Sequence, residues 1–397
     1  MSKYSSERTP VVSRPHLRSG TETPSASVAP PDDLEGSPGQ TIGNFFRGWD
    51  RFWFTPADPT TLGFIRIVCG LLILYVHLDY SFGLLSYVGP EAWMNLETAN
   101  FNRHKMAIWV PVNGWSDPVQ LTEGNPVWSI FYHLNDPHWI WTVHVGILVA
   151  MALFTVGFCT RVTSVLAWAG ALCYIQRSPM TLFGQDTMMV ILLMYLMIGP
   201  SGAALSVDRW LQRRRALRRG EPDRGPVPSV SANFAIRLMQ VHFCIIYLAA
   251  GTSKLLGPAW WAGTALWRTY ANYSFAPFNV RLYADFLVYL CKHRWLWELV
   301  MSGGVVFTLV LEIGFPFLVW VKSLRWTMIA GAVLLHTGIG MAMGLVTFSL
   351  FMLALLYSFV PPEATRRLVA GMETQLRRLF TPRPAPVPER AVASARA

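Results

Sequence analysis

Eight apolar runs with little charge inside them set the limits on what this chain can become. They are Leu62 to about Val88, Trp139 to Phe158, Val162 to about Gln176, and about Thr187 to Ile198. Four more follow: Phe234 to about Ser253, Leu299 to Val321, about Trp326 to Met343, and about Leu345 to Val360. An upright helix needs about 20 apolar residues to cross the hydrocarbon layer. Lipid leaves no water to satisfy backbone groups, so only helices or closed barrels cross it. The runs therefore predict an all-α, polytopic transmembrane helix bundle of about eight spans. The shorter runs leave that count open by one. Composition agrees: 14% of the 397 residues are charged and 52% are hydrophobic, against about 25% charged in a soluble domain.

The loops carry charge in a pattern. With eight spans, alternate loops share a side. Arg47, Arg51, Arg161, the run Arg209 to Arg219, Lys322, Arg325, Arg366 and Arg367 all fall on one of them. The long loops 89–138 and 254–298 fall on the other. Basic loops stay in the cytoplasm, so the reading is a multi-pass protein of the cytoplasmic membrane with both termini cytoplasmic. The Ser/Thr/Pro/Arg-rich residues 1–43 read as a disordered cytoplasmic tail. They hold no apolar core of a signal peptide, so the first span is expected to direct insertion. Residues 44–361 make the transmembrane domain, and 362–397 a basic, Pro/Ala-rich cytoplasmic tail. The formal net charge of +10 accompanies no nucleic-acid recognition motif. The expected partners are membrane lipids, anionic ones included, and not nucleic acid. The five cysteines form no CxxC pair and read as small packing residues.

The outer loops hold Trp93, Trp109, Trp115, Asn125-Pro126 and Asn135-Asp136-Pro137. Loops of this length act either as lids and binding surfaces or as covers over helix ends. Inside the runs, each ionisable group needs a partner or a job. Arg66 lies near the cytoplasmic end of the first span and is expected to snorkel. His77 and Asp79 lie in the outer half of that span, and Asp186 opens the fourth. His242, Glu312 and His336 lie mid-span. Together they suggest a polar cavity opening outward. No His-x-x-x-His or HExxH pattern occurs, so no metal is expected.

The densest signal is Tyr247-Leu-Ala-Ala-Gly251-Thr-Ser-Lys254, followed by Trp260, Trp261 and Gly263. Tyr247 and Lys254 are seven positions apart and share a helix face. Ala249, Ala250 and Gly251 let another backbone approach. A lysine so placed is partly desolvated, and its neutral amine is a competent general base. Equally, it can snorkel from the helix end to the headgroups.

This segment resembles the Ala-Gly-x-x-Lys-Leu…Trp…Gly segment of vitamin K-dependent gamma-carboxylases. It also resembles the broader bacterial family named for a horizontally transferred transmembrane (HTTM) domain. Gly157-Phe-Cys-Thr-Arg161 resembles the same family's entry to the third span. Ser206-Val-Asp208 resembles the boundary after the fourth. Leu311-Glu312, His336 and Phe348 to Met352 resemble the acid, histidine and aromatic run of the last helices. The resemblance covers about residues 55 to 360.

It implies a reaction. Lys254 would deprotonate vitamin K hydroquinone or a menaquinol-like relative. Oxygen would convert the anion to a strong base, and a peptide glutamate so deprotonated would take up carbon dioxide. By position alone, Tyr247 is expected as a hydrogen-bond donor at the quinol site beside Trp260 and Trp261, with Gln185 and Asp186 at its mouth and Glu312 and His336 within the bundle. His336 and Gln185 would assist catalysis. The sequence departs from the carboxylases at Phe183-Gly184-Gln185-Asp186, where Gln185 stands near the position of an active-site histidine. Their external C-terminal domain has no counterpart here, so a protein substrate is not expected. Two other readings stay open. One is a non-catalytic membrane protein that binds lipid or a partner. The other is a proton-coupled transporter using Glu312, His242 and His336.

Overall fold

A computed structural model of the chain describes residues 38–104, 106–111, 118–124, 127–272 and 281–380. The ends of both expected tails, and Trp115, Asn125 and Pro126 of the first long loop, lie outside these residues. The described residues from Trp49 onward belong to one compact unit, and those up to Gly48 to another.

Every one of the eight apolar runs is helical. Helix α1 covers Pro38–Phe54, starting inside the stretch read as a tail. The first run is α2 (Thr60–Tyr80), continued through a short turn into α3 (Leu84–Val88). Helix α4 (Leu96–His104) and the antiparallel hairpin β1 (Met106–Pro111) and β2 (Pro118–Gly124) belong to the first long loop. That hairpin is confined to the loop, and the bundle itself is all-α as expected. The next runs are α5 (Pro137–Val156), α6 (Thr160–Arg177) and α7 (Gly184–Ile198). The basic stretch folds as α8 (Val207–Arg218), and the fifth run as α9 (Val230–Lys254). The second long loop carries α10 (Pro258–Trp261), α11 (Ala265–Tyr270) and α12 (Arg281–Lys292). Then α13 (Arg294–Trp297) passes through a π-turn into α14 (Gly303–Leu318). The bundle closes with α15 (Arg325–Met343), α16 (Val346–Leu356) and α17 (Pro362–Phe380).

Length and apolarity suffice for a crossing in five of these segments: Thr60–Val88, Pro137–Val156, Val230–Lys254, Arg294–Leu318 and Arg325–Met343. Val346–Phe359 joins them only as half of a pair with Pro362–Gln375, bent by 118°. Helix α7 is shorter, at 15 residues. The shortfall from eight therefore arises at the polar third run, the short fourth and the short eighth.

Local chemistry explains where the helices start. Asp58 accepts a hydrogen bond from the Thr60 N–H at 2.7 Å, Asp136 from the His138 N–H at 2.7 Å, and Ser229 from the Ala232 N–H at 3.2 Å. Each supplies an acceptor to a first-turn donor without an intrahelical partner. The main core runs through α2, α5, α7, α9, α14 and α16, with Leu62, Ile73, Phe154, Leu192, Phe243 and Phe315 fully buried. A second core of Leu84, Val88, Phe131, Ile140 and Tyr174 sits under the first long loop.

Arg66 does not snorkel. Its side chain is fully buried, and the guanidinium donates to the carbonyls of Ser201 at 2.6 Å, Ala204 at 3.3 Å and Leu205 at 2.5 Å. Two of the family-like motifs close over it. Gly157 has a left-handed backbone (φ 74°), and a Cβ there would lie 2.8 Å from the Arg66 Cζ and 2.6 Å from the Ser206 Cβ. Asp208 caps α6, accepting from the Cys159 N–H at 2.8 Å, the Thr160 N–H at 2.8 Å and the Thr160 hydroxyl at 2.7 Å. The Gly157 and Ser206-Val-Asp208 motifs are thus two halves of one folding interlock. Cys159 belongs to it as an exposed residue with φ 46°, not as a packing residue.

Candidate functional site

Helix α9 delivers the site. Tyr247 and Lys254 face α14, as their seven-residue spacing requires. Lys254 Nζ donates to both oxygens of Glu312, at 2.9 and 2.7 Å. The lysine side chain is 24% exposed and the glutamate 8%, so the pair sits at the edge of the core. The ammonium lies 5.4 Å from the centre of the Trp260 ring, within cation–π range. Trp261 turns away: it is 73% exposed, and its indole N–H donates to the Leu255 carbonyl at 2.7 Å.

About two helical turns deeper along α9, the Tyr247 hydroxyl and His336 Nε2 share a hydrogen bond of 2.9 Å. Both residues are buried. The Tyr247 ring stacks on Phe243 at 4.3 Å and leans on Phe315 at 5.0 Å. His336 Nδ1 is buried and has no hydrogen-bond partner among the described residues. Lys254, Glu312, Tyr247, His336 and Trp260 thus form one cluster on α9, α10, α14 and α15. The mid-span His242, expected to join Glu312 and His336 in a carrier, instead bonds the Tyr195 hydroxyl at 2.7 Å.

Gln185 and Asp186 stand apart, at the start of α7. Asp186 is buried and accepts from the Phe183 N–H at 3.0 Å. Gln185 accepts from the Thr347 hydroxyl and lines a cavity of about 700 Å³ with Asp79, Thr347 and several aromatic residues. Phe348 lies between the two groups. Its ring centre is 6.1 Å from that of His336, and a Cβ on Gly184 would lie 3.1 Å from the same ring.

Sequence reasoning missed several of these contributors. Thr347 is an ordinary threonine until α16 brings it to Gln185. Arg177 is fully buried and holds the first long loop through the carbonyls of Met94 at 2.9 Å and Gly89 at 2.6 Å. His144, inside the second apolar run, binds the Tyr174 hydroxyl at 2.5 Å and Ser81 at 2.8 Å. Its mid-run position was the signal that could have found it. Among the described residues, no three His, Cys, Asp or Glu side chains gather closely enough to hold a metal ion.

A bundle of apolar helices around a half-buried ion pair defines an integral membrane protein. The HTTM domain family model matches residues 115–363, and the chain belongs to that family. The match begins after α2, so Arg66 lies outside it and Lys254, Glu312 and His336 lie within. No curated protein and no solved structure matches the chain.

Proposed function

We propose that this protein is a gamma-carboxylase-like membrane enzyme in which Lys254 removes a proton from a lipophilic, quinol-like substrate. The observation that carries the reading is the two-pronged contact between Lys254 and Glu312 at the apolar edge of the bundle. Such a pair is costly to build in lipid and so points to a functional site, and the Trp260 ring lies beside the ammonium.

The proton bookkeeping is direct. A substrate settling against Trp260 excludes water. The two charges then face a medium that stabilises them poorly, and the proton of the ammonium passes to the Glu312 carboxylate. The neutral amine accepts the proton of the substrate hydroxyl, leaving an oxyanion beside a new ammonium. A low-water pocket strengthens that stabilisation and protects a strongly basic product from quenching. Tyr247 and His336 lie about two turns away as a hydrogen-bonded support for the lysine's helix.

Reduced vitamin K or menaquinol is the proposed substrate class, with oxygen and carbon dioxide as co-reactants if the chemistry proceeds to carboxylation. Gln185 lies beyond Phe348, so its proposed contribution is to substrate entry. The basic loops support an orientation with both termini cytoplasmic and Lys254 at the outer face.

The test compares wild type with Lys254→Ala and Glu312→Gln in lipid nanodiscs. Reduced menaquinone is added in air, and quinone epoxide is followed by mass spectrometry. A second arm supplies a glutamate peptide and labelled bicarbonate. Epoxide formed by wild type and lost in both folded variants is the expected result. Background-level epoxide in all three overturns the quinol reading and leaves a lipid- or partner-binding role.

A further inference from the structure

A second feature faces the same end of the bundle and does not involve Lys254. The cavity of about 700 Å³ beside Gln185 falls within the usual range for a small-molecule site, about 300–1,000 Å³. Its lining is unusual in charge. Among the described lining residues, Asp79 is the one with a formal charge, and none is a lysine, arginine or histidine. The Asp79 carboxylate makes no ion pair among the described residues.

The walls are aromatic. Tyr75, Tyr80, Tyr87, Trp93 and Phe183 all contribute. Three of them form a row: Tyr80 and Tyr87 ring centres are 4.8 Å apart and tilted by 43°, and Tyr87 and Trp93 are 4.9 Å apart and tilted by 60°. The row is braced from behind by Tyr174, stacked on Tyr80 at 5.5 Å. Tyr75 and Asp79 are four residues apart in α2 and so share a face.

Electron-rich ring faces together with one carboxylate complement a cation, and aromatic cages of this kind hold quaternary ammonium groups. An anion would meet Asp79 with like charge and would find no cationic side chain among the described lining residues. We propose that this cavity binds an ammonium-type head group, with Asp79 as counter-ion and the Tyr80, Tyr87 and Trp93 rings as the cage. The cavity lies at the C-terminal end of α2, the end that the basic loops assign to the outer face. The ammonium can therefore come from a lipid head group or from a free amine.

The test uses the full chain in nanodiscs of phosphatidylglycerol, which bring no choline of their own. Choline, its uncharged isostere 3,3-dimethyl-1-butanol and, as an anionic probe, glutamate are titrated by ligand-detected NMR. Choline should bind at least about tenfold more tightly than the isostere, the scale of a desolvated cation–π contact. Asp79→Asn and Trp93→Leu should each remove most of that preference. Trp93 is 68% exposed on a loop, so its variant keeps the test valid if the Asp79 variant folds poorly. Equal binding of the two probes, tighter binding of glutamate, or indifference to both variants overturns the proposal. A second arm mixes phosphatidylcholine with phosphatidylglycerol and reads retained lipid by native mass spectrometry. Phosphatidylcholine kept by wild type and lost from the variants identifies the head group. Choline binding with no retained lipid identifies a free amine.

Discussion

Gly251 of α9 lies against Glu312 of α14 so closely that a Cβ on the glycine would sit 3.1 Å from the Glu312 Cβ and 2.8 Å from the Ile313 side chain. Lipid tails are as apolar as leucine, so close packing and polar contacts, not the exclusion of water, hold such helices together. The missing Cβ is what brings the carboxylate within reach of Lys254. Gly251→Leu should therefore cost about 1–3 kcal/mol by overpacking and pull the ion pair apart. Gly338→Ala, at a helical glycine with open space around it, is the matched control and should leave stability unchanged or slightly raised. Unfolding titrations of the two variants in mixed micelles compare them directly.

The ion pair itself should show an asymmetric response. Removing one partner leaves the other charge uncompensated at a place that solvates it poorly. Glu312→Ala should cost about 3 kcal/mol, the lower end of what breaking a buried pair costs, because Lys254 keeps some exposure. Replacing both, as Lys254→Met with Glu312→Leu, should recover most of that loss while abolishing any proton transfer. A double-mutant cycle on unfolding free energy measures the difference. Additive losses would show that the two side chains do not interact.

Arg66 is a harder test. Its guanidinium serves three carbonyls, and hydrogen bonds to charged groups contribute about 1.5–3 kcal/mol each. Arg66→Met should destabilise by about 3 kcal/mol or more on that scale. Arg66→Lys should recover only part, because an ammonium lacks the flat fork that reaches several carbonyls at once. Thermal unfolding of the purified variants gives the order wild type, Lys, Met.

Asp208 ties the same region to pH. Burial pushes its carboxyl up, but the Thr160 hydroxyl, the N–H groups of Thr160 and Cys159 and the charge of Arg66 outweigh that, and the group is held below its ordinary value. A carboxyl depressed on folding binds its proton more readily in the unfolded chain. Its stabilisation is then complete above the unfolded value of about 3.9 and is lost as pH falls through the lower folded value. Asp208→Asn should lower stability at pH 7 and flatten the acid limb below about pH 4. Stability curves from pH 3 to 7 for the two proteins provide the check, and parallel curves would remove Asp208 from the acid response.

What could be read from the chain follows from what is local. Every apolar run became a helix, because runs with caps such as Ser229 and Asp136 carry their own instructions. The Ala249-Ala250-Gly251 step marked a close helix approach, and one occurs there. The Tyr247 and Lys254 spacing put both on one face, and α14 covers it. The partners were not legible. Glu312 is 58 residues from Lys254, and His336 is 89 from Tyr247. Nothing in either stretch states which mid-span polar groups will meet. Arg66 misled for the same reason. Near a helix end a long cation has an easy route to water, and only the distant 201–205 segment offers a better one. Gln185 and Thr347 show the opposite case, two unremarkable polar residues whose meeting creates a feature of the cavity wall.

The Arg66 contacts also fix an order of events in time. The first of its acceptors in sequence, the Ser201 carbonyl, is 135 residues farther along the chain. At a synthesis rate of about 5–20 residues per second, roughly 7–27 seconds pass before that carbonyl exists. Through that interval the first span is already made and carries a guanidinium without its final acceptors. A snorkelling arginine is then the natural waiting posture of the nascent protein, and burial is its destination. The ribosome's pace, and whatever chaperones the half-made bundle meanwhile, become part of how this membrane protein reaches its fold.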